Sequence, residues 1–193
     1  ATGQAETHFV VTAGGEQYAC RVLLMATGPV RPNIPDVEGI ELAEGYEVHD
    51  ITPERFENKR VVVMGCGNSA FEVANHLAGH AASIYILTGG KLIKHAWQTH
   101  FVGHLRAINN TILDMFQLKS MHATIALEVK KIAKRADGAF ALYWESPVPH
   151  WDPPGAIRRM YVVDHVIRAT GWKYTDPAIF APDCLPAADA KDK

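Results

Sequence analysis

The hydrophobic pattern changes period twice between residues 60 and 87. Arg60-Val61-Val62-Val63-Met64 is short, apolar almost throughout and closed by Gly65, which predicts a strand buried on both faces, as in a parallel sheet. Beyond Gly65-Cys66-Gly67, the apolar positions Ala70, Val73, Ala74, Leu77 and Ala78 recur at i, i+3, i+4, i+7 and i+8. That spacing predicts an amphipathic helix, with Gly79 as its C-terminal stop and Asn68 or Ser69 available to cap its start. Ser83-Ile84-Tyr85-Ile86-Leu87 reads as a second buried strand. Residues 60–87 are therefore one βαβ unit, with a right-handed crossover expected.

Weaker patterns flank this unit. His8 to Val11 and Tyr18 to Met25 are β-prone runs around Ala13-Gly14-Gly15-Glu16, the composition of a hairpin. The second run leads into Ala26-Thr27-Gly28, and from Pro29 to about Asp50 prolines and glycines break any periodicity, predicting a loop or linker that crosses between domains. Phe101, Leu105, Ile108, Ile112 and Met115 lie on one helical face, interrupted near Asn109-Asn110. Leu127 to Arg135 and Ala139 to Glu145 form a second hairpin about Ala136-Asp137-Gly138, with Phe140, Leu142 and Trp144 alternating. A proline-rich loop follows, and Tyr161 to Arg168 predicts a last strand ending at Ala169-Thr170-Gly171-Trp172.

Composition narrows the class without changing this outline. The 193 residues are 48% hydrophobic and 21% charged, as in an ordinary folded domain and unlike a disordered or collagenous chain. Nineteen Lys and Arg against 21 Asp and Glu leave a formal charge of -2, so no polybasic surface points to nucleic acid or anionic membrane. No apolar run approaches the roughly 20 residues of a membrane helix, and the N-terminus as given has no basic-then-apolar signal pattern. The compartment is left open. Cys20, Cys66 and Cys184 form no CxxC pair, which argues against a disulfide framework or a dithiol centre.

Candidate chemistry concentrates at Gly65-x-Gly67-x-x-Ala70, between the first strand and its helix. The first glycine permits a tight turn, the second lets a pyrophosphate approach the backbone, and the small third residue allows close packing. Gly65, Cys66, Gly67, Asn68, Ser69 and Ala70 are thus expected to bind the phosphates of a nicotinamide dinucleotide on a helix N-terminus. The plain alternative is a tightly packed strand-helix turn. About 20 residues on, an acidic side chain would bond the ribose 2′-OH. The chain instead has Leu87-Thr88-Gly89-Gly90-Lys91, so Thr88 and Lys91 are expected at the adenosine ribose and NADP is favoured, with NAD as the alternative. His76/His80 and His100/His104 share the i, i+4 spacing of zinc ligands but have no third ligand at motif spacing, so no metal site is assigned. Asp164-His165 lacks a nucleophile in a GxSxG-type turn, which argues against a hydrolase.

Two strands ending in Ala-Thr-Gly, on either side of a Gly-x-Gly-Asn-Ser-Ala fold, resemble the two-dinucleotide-domain flavoproteins, the group of flavin monooxygenases and thioredoxin reductases. Gly67-Asn68-Ser69-Ala70-Phe71-Glu72, Trp97-x-Thr99-His100-Phe101-Val102-Gly103, Leu105-Arg106-Ala107-Ile108-Asn109-Asn110 and Phe116-Gln117-Leu118-Lys119-Ser120 look like an endoplasmic-reticulum branch of that group. The likeness implies a Rossmann-like three-layer NAD(P)-binding domain with a β-hairpin or meander, flanked by partial FAD-domain strands. It divides the chain into an FAD-domain hairpin and linker at 1–45, an inserted NAD(P)H domain at 46–164 and a return segment at 165–193. Ala26, Thr27, Gly28, Ala169, Thr170 and Gly171 then mark the crossings and are expected to bind cofactor, the last three lining the cleft between cofactors. The implied activity is delivery of hydride from NAD(P)H to flavin, with FAD in the complete protein and the final electron acceptor unassigned. The endoplasmic-reticulum lumen is the compartment this branch implies, with the cytoplasm as the alternative. No Gly-x-Gly-x-x-Gly unit for FAD precedes Gly28, and relatives carry Ser-Arg where Thr88-Gly89 stands. The chain is expected to be the middle of a longer flavoprotein, inactive alone, or else a shortened module that binds a nucleotide or a partner without turnover. No side chain is nominated as acid, base or nucleophile.

Overall fold

The computed structural model describes residues 9–26, 28, 31–89, 112–117, 122–145 and 158–173. They fall into two compact units, one drawn from residues 1–30 and 174–193 and the other spanning Arg31–Lys173.

In the first unit, β1 (Phe9–Ala13) and β2 (Glu16–Cys20) form an antiparallel hairpin. Gly14 and Gly15 supply the positive φ of its two-residue turn, 60° and 86°. The strand read over Tyr18 to Met25 stops at Cys20. No described strand pairs with residues 21–26, and Val22 and Leu24 are 72% and 86% exposed. Apolar β-prone residues form a ladder only where a partner accepts their backbone bonds.

The second unit is built in three layers. Its centre is a parallel sheet of five strands, ordered β4 (Glu44–Gly45), β11 (His165–Arg168), β5 (Arg60–Met64), β6 (Ser83–Leu87) and β7 (His122–Ile125). The pleat sends alternate side chains to opposite faces. Val61, Val63, Ile84, Ile86 and Ile167 meet helix α1 (Asn68–Leu77) through Ala70, Phe71, Val73, Ala74 and Leu77, with Phe56 and Phe116 closing the same core. Val62, Met64, Leu87 and Val166 pack on the other face against Leu127, Val129, Ile132, Leu142 and Val163. The last four come from an antiparallel meander of β8 (Glu128–Lys134), β9 (Phe140–Glu145) and β10 (Arg158–Val163). Burial on both faces explains why β5 is apolar without alternation.

Three expectations are corrected. The strand read across Tyr161 to Arg168 is two strands in two sheets, β10 and β11, separated at Asp164. The Asp164 carboxylate accepts from the Arg60 backbone N–H at 2.8 Å and from its guanidinium at 2.9 and 3.1 Å, so the corner is held by the start of β5. The punctuated stretch from Pro29 to Asp50 is more than a loop: it carries β3 (Arg31–Pro32), a 3-10 turn at Ile40–Leu42 and edge strand β4. Neither Asn68 nor Ser69 caps α1, whose N-cap is Gly67 with no side-chain bond, while the helix does stop where expected, with Gly79 directly after the C-cap Ala78. Of the helical face read over 101–115, only a π-helical turn at Ile112–Gln117 lies within the described residues. The proline-rich loop at 146–157 lies outside them.

Candidate functional site

The strands of a parallel sheet all end at one edge, and the connections there leave a crevice. In the second unit this crevice is a cavity of about 540 Å³ lined by the ends of β5, β6 and β11 together with the first turn of α1. Gly65, Cys66, Gly67, Asn68, Ser69, Thr88, Ala169, Thr170 and Gly171 all contribute to its wall. Residues picked from three separate stretches of sequence therefore converge on one concavity. Ala70 sits behind them, fully buried against the sheet.

The two glycines of the turn have different geometries. Gly65 adopts φ 139°, a region that L side chains rarely enter. Its N–H donates to the Leu87 carbonyl at 2.9 Å, and a β-carbon on it would lie 2.8 Å from the Ala169 carbonyl carbon. Gly67 instead has φ -96° and ψ -178°, extended backbone open to any residue. A β-carbon there would meet no atom of the described residues within 4 Å. Gly65 is required by the protein's own packing, whereas Gly67 faces open space. A side chain at Gly67 therefore meets no backbone strain in the turn.

Some polar atoms in this wall have no partner among the described residues. The first amides of a helix have no acceptor within it, and α1 begins at Asn68 on the cavity. Asn68 Oδ1 and Thr88 Oγ1 are buried with no hydrogen-bond partner among the described residues. Such groups are costly unless something else satisfies them.

On the β11 side, the Ala-Thr-Gly turn is clasped by the segment entering the unit. Thr170 Oγ1 donates to the Asn33 carbonyl at 2.5 Å, Asn33 N–H donates to the Gly171 carbonyl at 2.8 Å, and β12 (Trp172–Lys173) pairs with β3. Gly171 has φ 87°, and Gly28, in the first unit, has φ 66°. Thr27 and Lys91 lie outside the described residues. Sequence reasoning missed Glu47 and Arg168, which also line the cavity and bond each other. Nothing in their local pattern marks them, since they are 121 residues apart. Among the described residues no group of His, Cys, Asp and Glu could hold a metal, and no helix is long and apolar enough to cross a membrane.

Comparison with known proteins agrees with this architecture. The pyridine nucleotide-disulphide oxidoreductase family matches residues 2–143. The mouse FAD-dependent oxidoreductase domain-containing protein 2 is 35% identical over 189 residues, covering 90% of this chain and 28% of that protein. Its zebrafish counterpart is 44% identical over 119 residues, covering 62% and 17%. The chain thus spans under a third of the curated relatives it matches. Among solved structures, Lactococcus lactis thioredoxin reductase superposes with a TM-score of 0.54 at 13% identity, over 87% of this chain and 50% of that one, a likeness of fold. With its glycine turn at the edge of a parallel sheet and its match over most of its length, the chain belongs to the pyridine nucleotide-disulphide oxidoreductase family, whose members use FAD and NAD(P)H.

Proposed function

We propose that the parallel-sheet unit binds NAD(P)H and presents it to FAD, within an FAD-dependent oxidoreductase that delivers hydride from the nicotinamide to the flavin. The observation that carries this reading is the open space before Gly67, at the start of α1 on the carboxyl edge of the sheet. A dinucleotide fits there: its pyrophosphate occupies the space a side chain would fill and accepts from the first amides of α1, where the helix dipole favours an anion. Thr88 Oγ1, buried without a partner among the described residues, suits the adenosine ribose. Lys91 keeps its reading from the sequence, a point charge near the 2′ position.

The cofactors supply the redox chemistry, and the protein orients them and excludes competing reactions. Gly65 lets β5 and β11 close together, so that Ala169, Thr170 and Gly171 border the same cavity as the phosphate turn. In this proposal the inserted nicotinamide domain corresponds to the body read at 46–164. Its crossings to the FAD domain lie outward, near 30/31 and 173/174, since β4 and β11 belong to the parallel sheet. Ala26 and Gly28 then belong to the outgoing crossing.

Calorimetric titration of NADPH into the chain and its Gly67→Val variant tests this. Affinity is expected to fall more than about tenfold, equivalent to over about 1.4 kcal/mol, while the variant remains folded. Unchanged affinity in a folded variant would overturn the reading.

A further inference from the structure

If the dinucleotide reading holds, strand order divides the cavity into two halves. The pyrophosphate lies at the turn after β5 and the adenosine ribose over the end of the next strand, β6. The remaining half of the molecule then extends the other way, over β11 and β4. That end of the wall contains a charge pair with no role assigned so far. Arg168, the last residue of β11, donates from Nη2 to Glu47 Oε1 at 2.9 Å, and the two side chains are only 9% and 23% exposed. They occupy the space beside Gly45, where a β-carbon would lie 2.6 Å from the Glu47 carboxyl carbon and 2.7 Å from Arg168 Nη2.

Stability alone is a poor reason for this arrangement, because desolvating two charges offsets much of their attraction. A carboxylate beside a phosphate site also repels the anion. It is suited instead to hydrogen-bond donors, since an ionised carboxylate accepts at about four lone-pair positions. The half of NAD(P)H that lies at this end carries such a donor in its carboxamide NH2. We infer that Glu47 accepts a hydrogen bond from the nicotinamide carboxamide, and that Arg168 is the positioning residue that holds the Glu47 carboxylate in place. The pair thereby selects a nicotinamide dinucleotide over analogues without that donor. This rests on the NAD(P)H reading above and deepens it.

The test is calorimetric titration at fixed ionic strength with three probes: NADP+, 3-acetylpyridine adenine dinucleotide phosphate, which lacks the carboxamide N–H, and 2′,5′-ADP, which lacks the nicotinamide half. The parent chain is expected to bind NADP+ about tenfold more tightly than the acetylpyridine analogue, the order expected for a hydrogen bond to a charged group. The double variant Glu47→Leu/Arg168→Met removes both charges without leaving one unpaired. It is expected to lose that discrimination and about tenfold in NADP+ affinity, with 2′,5′-ADP binding unchanged. Glu47→Gln keeps the side-chain shape but leaves the Arg168 charge unpaired, so its folding is checked by circular dichroism; the folded variant should lose about threefold for NADP+ alone. Undiminished discrimination in the folded variants, or an equal loss for 2′,5′-ADP, overturns the inference while leaving the dinucleotide reading intact. A parent chain that binds none of the three probes overturns both.

Discussion

Adding one methyl group at Gly65 is expected to remove about 2–6 kcal/mol of stability, from two sources. The residue sits at φ 139°, and forcing an L side chain into such a region costs about 1–3 kcal/mol. The new β-carbon would also lie 2.8 Å from the Ala169 carbonyl carbon and nearer still to its oxygen. Neither side can yield cheaply. Ala169 N–H donates to Met64 at 2.8 Å and Gly65 N–H to Leu87 at 2.9 Å, so both segments are pinned to the sheet. Relieving the clash requires β5 and β11 to part at their ends, an overpacking cost of about 1–3 kcal/mol. The same methyl at Gly67 meets no atom of the described residues within 4 Å and no forbidden φ. It loses only part of the N-cap preference of glycine, under about 1 kcal/mol. With a urea m-value of about 2 kcal/mol/M, the midpoint should fall by about 1–3 M for Gly65→Ala and by less than about 0.5 M for Gly67→Ala. Unfolding followed by both circular dichroism and tryptophan fluorescence checks that one transition is being compared. A Gly65→Ala midpoint within about 0.5 M of the parent, or a reversed order of the two variants, would refute the division of roles between the glycines.

The remaining predictions concern pH. The side-chain hydrogen bonds from Arg60 hold the Asp164 carboxyl down to about 2, against about 3.9 unfolded, so its contribution is complete above pH about 4 and lost as pH falls toward about 2. For a side chain 27% exposed that is about 1–2 kcal/mol; Asp164→Asn should be less stable at pH 5 and should show a flatter loss between pH 4 and 2 in denaturant titrations. Burial pushes His122 below its ordinary value, and its Nδ1 accepts the Ile84 N–H at 3.1 Å, so the folded state holds it neutral. The unfolded chain takes up that proton as pH falls below about 6.5, and each such histidine removes up to about 1.4 kcal/mol per pH unit. His165, also lowered by burial and then by the Arg55 charge, acts in the same direction. His122→Asn keeps an acceptor without the titration, so the slope of stability between pH 6.5 and 5 should become shallower by up to about 1.4 kcal/mol per pH unit; an unchanged slope would show that His122 is protonated in the folded chain.

The βαβ unit was legible in the sequence because its information is local. A strand buried on both faces must be apolar throughout and a helix with one buried side must repeat at 3.6, so Val61–Met64 and Ala70–Leu77 announce their layers before any contact is known. The glycine turn was legible for the same reason. The break at Asp164 left only a faint trace, one strand-averse residue between β-prone ones; what ends β10 is Arg60, 104 residues away. The strand content of residues 21–25 depended on a pairing partner, which composition does not record. The different duties of Gly65 and Gly67 arise because the carbonyl of Ala169, and not that of another residue, comes to rest against the first of them. Glu47 and Arg168 belong to strands and turns that the fold brings side by side in the sheet. Period and composition determine which face of each segment is buried; which side chains then meet across the edge of a sheet depends on strand order and register, and only the tertiary structure decided those.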